Sequence, residues 1–255
     1  WFNILIIIPA PILILWKLKG EWREARGEHF DLKGSSIYCL MIFTLMFGLT
    51  LIPSTIGALL LAIGVLLLFC FIAFELKQDF PVFDIRLLKN NSTYALSNLS
   101  ALINYSATTA SGFLLSLYLQ YIKGFPPQIA GAILVAQPII MTILSPFAGK
   151  LSDRIEPRII SSSGMGLTFV GLLILTFISK DSSLVLIVVS LIILGIGFAL
   201  FSSPNTNAVM TSVEKKYYGV ASSTLGTMRL IGHMLSMATV MSLFSFFIGR
   251  TKINS

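Results

Sequence analysis

Long apolar runs separated by short polar breaks dominate the sequence. Eight runs are long enough, or nearly so, to cross a bilayer, because a hydrocarbon core of about 30 Å takes a helix of about 20 residues. They lie at approximately 1–16, 35–52, 56–74, 94–118, 128–148, 159–178, 184–204 and 219–248. The helical pattern of the seventh run continues to about Val213. The pattern predicts an all-α, polytopic membrane helical bundle of about eight spans in a partial chain, with the first span cut at its start.

The composition supports a membrane protein. Of the 255 residues, 55% are hydrophobic and 11% are charged, and the mean hydropathy is +0.87. A soluble domain carries about 25% charged residues, so this chain cannot cover a water-facing surface of its own size. A soluble enzyme, a disordered chain and a nucleic-acid binder are thereby excluded. The two cysteines both fall within apolar runs and do not indicate a disulfide framework.

The basic residues predict the orientation of the spans. Thirteen of the 18 Lys and Arg residues lie in alternate breaks, at 17–33, 75–92, 149–158 and 213–218. The intervening breaks contain only four. Because short loops rich in Lys and Arg stay in the cytoplasm, we expect the first set to be cytoplasmic in a multi-pass protein of the plasma membrane. The net charge of +7 therefore reports topology, and no nucleic-acid partner is expected.

Arg229 is the one charged residue deep within a predicted span. It lies ten residues after Gly219, about 15 Å into the span, where a charge costs at least about 2.5 kcal/mol. His233 follows one helical turn later on the same face. Arg229 either lines a polar cavity and binds an anionic group, or forms a static structural pair. His233 likewise either contributes to the site or makes a structural hydrogen bond.

Span 94–118 is apolar on one side and polar on the other. Small and polar residues share an arc of about 120° at helical spacing. Within or beside this arc we identify five candidate cavity-lining residues: Ser97, Asn98, Asn104, Thr108 and Ser111. Leu96, Leu99 and Ile103 lie opposite. The polar face either lines a solvated path or lets helices pack closely.

Three prolines within the spans are candidate helix kinks. They are Pro138, Pro146 and Pro204, and each removes a backbone hydrogen bond. Asn205 follows Pro204 directly and is a further candidate for lining the cavity. A kinked polar helix end suits a moving element, but a simple proline kink with asparagine as a cap is an equal alternative.

Motifs for catalysis and nucleotide hydrolysis are absent from the sequence. It contains no P-loop, no zinc-protease motif and no nucleophile elbow. All eleven acidic residues lie in breaks or at span ends, so no carboxylate pair is available within the membrane for acid and base catalysis. We expect no enzyme activity, no cofactor and no metal. Work across the membrane would then use an existing gradient, or conduction would be passive.

The loop at 149–158 carries a family motif. Its sequence, GKLSDRIEPR, resembles the G-x-L-x-D-R-x-G-x-R signature of the major facilitator superfamily, with Gly149, Asp153, Arg154 and Arg158 matching. The WFNI at the start, the run PVFDIRLLKN at 81–90 and the GVASS at 219–223 resemble the fourteen-helix drug:proton antiporters of the EmrB/QacA type. The resemblance covers nearly the whole chain.

This resemblance implies a division of the chain. Residues 1–33 would end the N-terminal bundle with its sixth helix and a linker, 34–92 would form an extra helix pair and a cytoplasmic loop, and 93–255 would form a C-terminal bundle without its last helix. The implied partners are a small-molecule substrate, protons, the lipid bilayer and the remaining helices of the same full-length transporter. An embedded carboxylate for proton coupling would have to lie in those remaining helices.

The motif implies a role in conformational change. In this family the loop helps set the inward- and outward-facing states. We expect Asp153 to cap the helix that follows, where a negative charge suits the helix dipole. Arg154 and Arg158 would pair across the bundle or hold anionic lipid headgroups. Glu156-Pro157 stands where the signature has Gly. The alternative role of the motif residues is to set the topology of the chain through their positive charge.

The predicted function is secondary active transport by alternating access, most simply proton-coupled efflux of drugs or other small molecules. One alternative is a major facilitator transporter of another substrate class, such as an organic anion, a sugar or a siderophore. The other is a membrane scaffold that transports nothing.

Overall fold

The computed structural model describes residues 11, 16–17, 31–52, 54–78, 81 and 83–247. The chain forms two compact units, Trp1–Phe30 and Asp31–Ser255. The predicted first span, at 1–16, lies almost entirely outside the described residues. The account below concerns the second unit.

Helices make up nearly all of the described part of this unit, and no strand occurs among the residues the structure describes. In chain order the α-helices are α1 (Leu32–Thr50), α2 (Thr55–Glu75), α3 (Ile85–Asn90), α4 (Ser92–Leu117), α5 (Pro127–Leu134), α6 (Ala136–Ser152), α7 (Pro157–Thr176), α8 (Leu184–Thr211) and α9 (Tyr218–Phe247). A π-helical turn, Tyr118–Ile122, extends α4, and a 3₁₀ turn, Lys215–Tyr217, precedes α9. The predicted all-α bundle is confirmed.

Five segments are long and apolar enough to cross a membrane, counted over the described residues: α1, α2, α5 with α6, α7, and α8. Helices α4 and α9, with 26 and 30 residues, also exceed the length that a span requires. They fall short in apolarity because each carries polar residues, and they pack against each other. All seven predicted spans after the first therefore form helices.

Polar side chains cap several of these helices. Ser54 begins α2 by accepting a hydrogen bond from the backbone N–H of Gly57 at 3.1 Å. Asn91 caps α4 through the N–H of Tyr94 at 2.9 Å, and Ser183 caps α8 through the N–H of Leu186. Such caps satisfy N–H groups that a helix leaves without an internal partner.

The three predicted kink positions differ. The helix at Pro127–Ser152 is interrupted at Val135, three residues before Pro138, which has no N–H to donate to the Leu134 carbonyl. Pro146 and Pro204 instead lie inside α6 and α8, which are continuous helices.

Glycines allow two of the helix pairs to approach backbone to backbone. A Cβ added at Gly164 of α7 would lie 2.6 Å from the backbone N of Phe201 in α8. A Cβ at Gly232 of α9 would lie 2.8 Å from the carbonyl oxygen of Leu102 in α4. Helix α8 packs against both α6 and α7, and α4 packs against α9. The α1–α2 hairpin joins the bundle through α9, where the Tyr38 and Thr227 hydroxyls share a hydrogen bond.

Hydrogen bonds also tie together two loops on the predicted outer side. The ammonium of Lys123, after α4, donates to the carbonyls of Lys180 and Ser182 at 2.8 and 2.6 Å. The hydroxyl of Tyr118 donates to the carbonyl of Ser179 at 2.7 Å. The outer end of α4 is thereby fixed to the loop between α7 and α8.

Candidate functional site

The polar face of α4 points into the bundle. The side chains of Asn98, Asn104 and Thr108 are 0–4% exposed, whereas Leu96 and Ile103 on the opposite face are 62% and 51% exposed. Exposed leucine and isoleucine suit contact with lipid, and the inward polar face accounts for the lower apolarity of this helix. Asn98, Asn104 and Thr108 therefore point into the bundle, whereas Ser97 and Ser111 of the predicted set are half-buried.

The polar residues of this face largely bond to their own helix. The side-chain amide of Asn98 donates to the carbonyl of Tyr94 at 2.9 Å. The hydroxyls of Thr108 and Ser111 donate to the carbonyls of Asn104 and Thr108 at 2.8 and 2.6 Å. The Oδ1 atoms of Asn98 and Asn104 are buried without a hydrogen-bond partner among the described residues. Unsatisfied buried acceptors are costly, and they mark places where a water or a ligand group would bind.

A polar group that we call the central cluster joins α4, α8 and α9 in the middle of the bundle. It consists of Tyr105, Thr109, Thr206, Arg229 and His233. Arg229 donates from Nη2 to the hydroxyl of Thr206 at 2.6 Å, and its guanidinium carbon lies 5.7 Å from the centre of the Tyr105 ring. The face of an aromatic ring attracts a cation at this separation.

His233 completes the cluster from one turn further along α9. Its ring packs edge-on against Tyr105, with 4.8 Å between ring centres, and its Nδ1 lies 2.6 Å from the hydroxyl of Thr109. That hydroxyl is also 2.7 Å from the carbonyl of Tyr105. A hydroxyl has one hydrogen, so when Thr109 donates it to the carbonyl, it accepts a hydrogen from Nδ1 of His233.

The charge of Arg229 has no acidic partner among the described residues. Its contacts are a hydroxyl and a ring face, and its Nε is buried without a hydrogen-bond partner. Arg229 itself is half-buried, so the guanidinium remains within reach of a molecule outside the bundle. Because arginine keeps its charge and presents donors in a planar fork, the cluster can bind a carboxylate, a phosphate or a carbonyl oxygen.

The guanidinium is expected to lie on the predicted cytoplasmic side of its own Cα. Arg229 is eleven residues into α9, about 16 Å along the axis, and side chains lean towards the N-terminus of their helix. Its partner Thr206 lies five residues before the end of α8, about 8 Å from that end. Both of these helix ends belong to the predicted cytoplasmic side.

One residue of the family motif does not have the role that the sequence predicts. The prediction that Asp153 caps the following helix is wrong: Asp153 is the C-cap of α6, and the N-cap of α7 is Glu156. Pro157 occupies the first position of α7, which suits its fixed φ and missing N–H, and this moves the helix start beyond the reach of Asp153. Gly149 lies within α6, where an added Cβ would be 3.0 Å from Oγ of Ser203 in α8.

The other motif residues are on the surface. Arg154 and Arg158 are both exposed, and neither forms an ion pair with any residue in the part of the chain that the structure describes. Arg158 lines a cleft of about 720 Å³ between the cytoplasmic ends of α4, α7 and α8. Ser97 and Asn205, predicted as cavity-lining residues, line this cleft and not the central cluster.

The central cluster includes residues outside the predicted site. Tyr105 and Thr109 border the polar arc of α4, and their spacing of four residues matches that of Arg229 and His233 on α9. The sequence therefore contains a signal for these residues: two pairs with the same spacing of four residues, on helices that face each other. Thr206 gives no such signal, because it is one of many hydroxyl residues in the spans. No group of three or more His, Cys, Asp or Glu residues could hold a metal ion among those searched, the described residues.

Comparison with known proteins agrees with this architecture. The model of the Major Facilitator Superfamily matches residues 39–237. The riboflavin transporter RibZ of Clostridioides difficile (strain 630) is 28% identical over 251 residues, which cover 96% of this chain and 54% of RibZ. The multidrug resistance protein Stp of Mycobacterium tuberculosis (strain ATCC 25618 / H37Rv) is 27% identical over 263 residues, 98% of this chain and 48% of Stp.

A third relative is the quinolone resistance protein NorB of Staphylococcus aureus (strain JH9). It is 23% identical over 274 residues, which cover 99% of this chain and 56% of NorB. The chain spans about half the length of these curated relatives. The family match and the apolar helices confirm a multi-pass membrane protein that is not an enzyme. The match includes α4 to α8 and the part of α9 that carries Arg229 and His233, and the chain belongs to the major facilitator superfamily.

Proposed function

We propose that the complete protein is a secondary active transporter of the plasma membrane that exports drugs or other small molecules by alternating access. Family membership supports transport, since two bundles of this type move about a central site. The names of the relatives Stp and NorB support export of drug-like compounds. In this proposal the bilayer and the remaining helices of the same protein complete the structure around this chain.

We place the protein in the fourteen-helix drug:proton antiporter group, as the sequence motifs suggest. The chain would then supply helices six to thirteen, divided at 1–33, 34–92 and 93–255. The α1–α2 hairpin supports this division, because its described contacts outside the pair are with α9, through Tyr38 and Thr227, and with the segment that follows the pair, through Phe71 and Phe83. A helix pair attached at one side suits an addition to a core bundle.

The observation that carries the proposal is the central cluster. A cation in the middle of a spanning helix is expensive, and Arg229 is held there by neutral groups with one N–H unsatisfied. The aromatic rings of Tyr105 and His233 lie beside it, with Phe198 packed on Tyr105 at 5.6 Å. A site with aromatic faces and one fork of donors fits a flat ring system that carries an acceptor oxygen.

This chemistry suits the compounds that the relatives are named for. A quinolone is a planar heteroaromatic acid, and riboflavin is a planar heteroaromatic with ring carbonyls. We propose substrates of this shape, oriented by a hydrogen bond from Arg229 to the acceptor oxygen. The second candidate is an organic anion of another kind, a sugar or a siderophore; the positive charge of Arg229 favours the organic anion among these.

Coupling to protons is inferred from the resemblance to the fourteen-helix drug:proton antiporters. Each acidic residue of this chain lies outside the middle of its spans, so a coupling carboxylate would belong to the remaining helices. Within the described residues of α4, α8 and α9, His233 is the mid-span side chain whose ring can bind and release a proton. It contacts Thr109 and Tyr105, with Arg229 one turn away, and it is a second candidate for the coupling group.

Reconstituted transport tests the proposal. The full-length protein in proteoliposomes should move a carboxylate-bearing quinolone and a cationic dye when a pH gradient is imposed. Replacing Arg229→Ala should lower transport of the quinolone by about tenfold or more, since a hydrogen bond to a charged group contributes about 1.5–3 kcal/mol. Transport of the cationic dye should fall less, because it does not use the guanidinium.

Lys180→Ala is the matched control. It also removes one positive charge, but from the exposed loop between α7 and α8, which contributes no residue to the central cluster. It should leave both activities unchanged. Gradient-dependent movement of no tested compound would contradict the transport proposal. Transport in which Arg229→Ala affects both compounds equally would instead contradict the assignment of Arg229 to the substrate.

A further inference from the structure

The cleft between the cytoplasmic ends of α4, α7 and α8 is a built polar site, separate from the central cluster. Its volume is about 720 Å³. The walls come from the first turns of α4 and α7 and the last turns of α8, and most of the lining side chains are hydroxyls or amides. Among them are Ser97 and Ser100 of α4, Ser161 of α7 and Asn205 of α8. We call it the cytoplasmic cleft.

Two long helices begin at this cleft. The N-terminus of a helix carries partial positive charge and free N–H groups. Helix α7 begins with Glu156 at its N-cap, which makes no side-chain capping bond. At α4, Asn91 caps only the N–H of Tyr94. Arg158 adds a full positive charge at the rim, so the electrostatics favour an anion.

Independent support comes from two buried polar groups in the walls. Asn205 is 3% exposed and its side-chain amide nitrogen has no hydrogen-bond partner among the described residues. Ser161 is 9% exposed, and its hydroxyl oxygen also lacks a partner there. Buried donors are nearly always satisfied in native structures. An oxyanion in the cleft would supply acceptors to both.

The cleft also contains features that limit the charge of its ligand. Glu156 lies on the rim, and the C-terminal end of α8 contributes Thr211 and Ser212. A carboxylate and the carbonyl end of a helix both repel negative charge. A singly charged anion is therefore favoured over a dianion.

The position of the cleft indicates where such an anion would come from. Its walls are the ends of helices that meet the predicted cytoplasmic loops, where lipid headgroups are expected. Leu96, which is 62% exposed, lines the cleft and gives its mouth an apolar edge. We propose that the cytoplasmic cleft binds a singly charged phosphate group, held by Arg158, Ser161 and Asn205 beside the N-termini of α4 and α7, and supplied by a phospholipid headgroup or by free phosphate.

Protection of an introduced cysteine tests this site in the full-length protein. In detergent, in a full-length protein whose native cysteines, Cys39 and Cys70 among them, are all replaced by Ala, Ser162→Cys places a thiol on the exposed lining of the cleft. Dioleoyl phosphatidylglycerol should slow its reaction with a maleimide, whereas dioleoyl glycerol, which has the same acyl chains and no phosphate, should not. Inorganic phosphate at mildly acidic pH forms the third arm. Protection by the lipid alone identifies the headgroup, and protection by both identifies free phosphate as a ligand too.

Two variants and their matched controls make the result specific. Arg158→Gln should raise the half-protecting lipid concentration about tenfold, as expected for loss of a charge-assisted hydrogen bond. Ser161→Ala should raise it severalfold and should fold normally, because its hydroxyl has no partner to lose. Arg154→Gln, on the same loop, and Ser163→Ala, whose hydroxyl bonds to the carbonyl of Ile160, should have no effect.

The proposal is overturned if dioleoyl glycerol protects as well as the phospholipid. It is also overturned if neither phosphate source protects, or if Arg154→Gln weakens protection as much as Arg158→Gln does. None of these outcomes depends on transport, so the test stands apart from the proposed function.

Discussion

Arg229 is a charged side chain in a spanning helix whose described partners are all neutral. The hydroxyl of Thr206 and the ring of Tyr105 replace part of the solvation that water would give. Neutral partners leave the positive charge of the guanidinium unbalanced. A substrate or a helix that brings an acidic group would therefore find an attractive and already ordered site.

The bond from Arg229 to Thr206 predicts a measurable dependence on one hydroxyl. Thr206→Val keeps the shape of the side chain and removes the acceptor of the 2.6 Å hydrogen bond. We expect a loss of about 1.5–3 kcal/mol in stability, because the bond involves a charged donor. The midpoint of thermal unfolding of the full-length protein in detergent measures this.

Thr239→Val is the control for that substitution. Thr239 lies on α9, and its hydroxyl donates to the carbonyl of Leu235 in its own helix. It should change the unfolding midpoint far less. Equal effects of the two valine substitutions would show that the bond to Arg229 has no special role.

Sequence spacing predicts part of this site and not the rest. The interval of four residues places Arg229 and His233 on one face of a helix, and the same interval relates Tyr105 and Thr109. Thr206 could not be identified, because its contact with Arg229 depends on how α8 and α9 cross. The capping role of Asp153 was mispredicted because the helix start depends on Pro157, which makes Glu156 the N-cap.

At the scale of helices, the approach of α4 to α9 holds the central cluster together. Gly232 lies between Arg229 and His233 along α9, and its missing side chain lets the backbone of α4 come close at Leu102 and Ser106. The hydroxyl of Ser236 adds a contact by accepting from the N–H of Ala110 at 3.0 Å. Small residues at such crossings are how membrane helices pack without a hydrophobic driving force between them.

Two glycines of α9 form a matched pair that tests this crossing. Gly232→Ala would place its Cβ 2.8 Å from both the carbonyl oxygen of Leu102 and Cβ of Tyr105, so the helices must separate. We expect a loss of about 1–3 kcal/mol, as for other overpacked sites, and lower transport. Gly226→Ala meets no atom within 4 Å and should be neutral or stabilising by up to about 1 kcal/mol.

Chemical denaturation and proteoliposome transport, measured on both variants, decide the outcome. If Gly226→Ala destabilises as much as Gly232→Ala, general loss of helix flexibility explains the effect and the close crossing does not.

The helices themselves are largely predictable from apolar runs. The bounds of α1, α2, α4, α7 and α9 agree with the predicted spans to within a few residues, because each run matches one bilayer thickness. The break at Val135 was foreseen only as a kink near Pro138, since the exact residue depends on local backbone geometry. The continuation of α8 past Pro204 to Thr211 was visible in the helical pattern.

At the scale of the whole molecule, the two ends of the helical bundle differ. The outer loops are joined by Lys123 and Tyr118, whereas the inner ends of α4, α7 and α8 surround the cytoplasmic cleft. The assignment of inner and outer ends comes from the distribution of Lys and Arg, and it can be tested directly.

Labelling in intact cells tests the topology. Ile155→Cys, in the exposed loop after α6, should react with a membrane-impermeant maleimide only after the cells are permeabilised. Asp181→Cys, in the exposed loop between α7 and α8, should react without permeabilisation. Both variants use the background without Cys39 and Cys70. The reverse pattern would place the loops rich in Lys and Arg outside and would contradict the predicted orientation.

The hydrogen bonds of Lys123 affect how this part of the protein can bend. One ammonium group binds two carbonyls of a neighbouring loop, so we expect the outer ends of α4, α7 and α8 to move together. We then expect bending to occur mainly at the opposite end of these helices. A reagent that acetylates this lysine from the extracellular side would release the joint and loosen the bundle from its outer end.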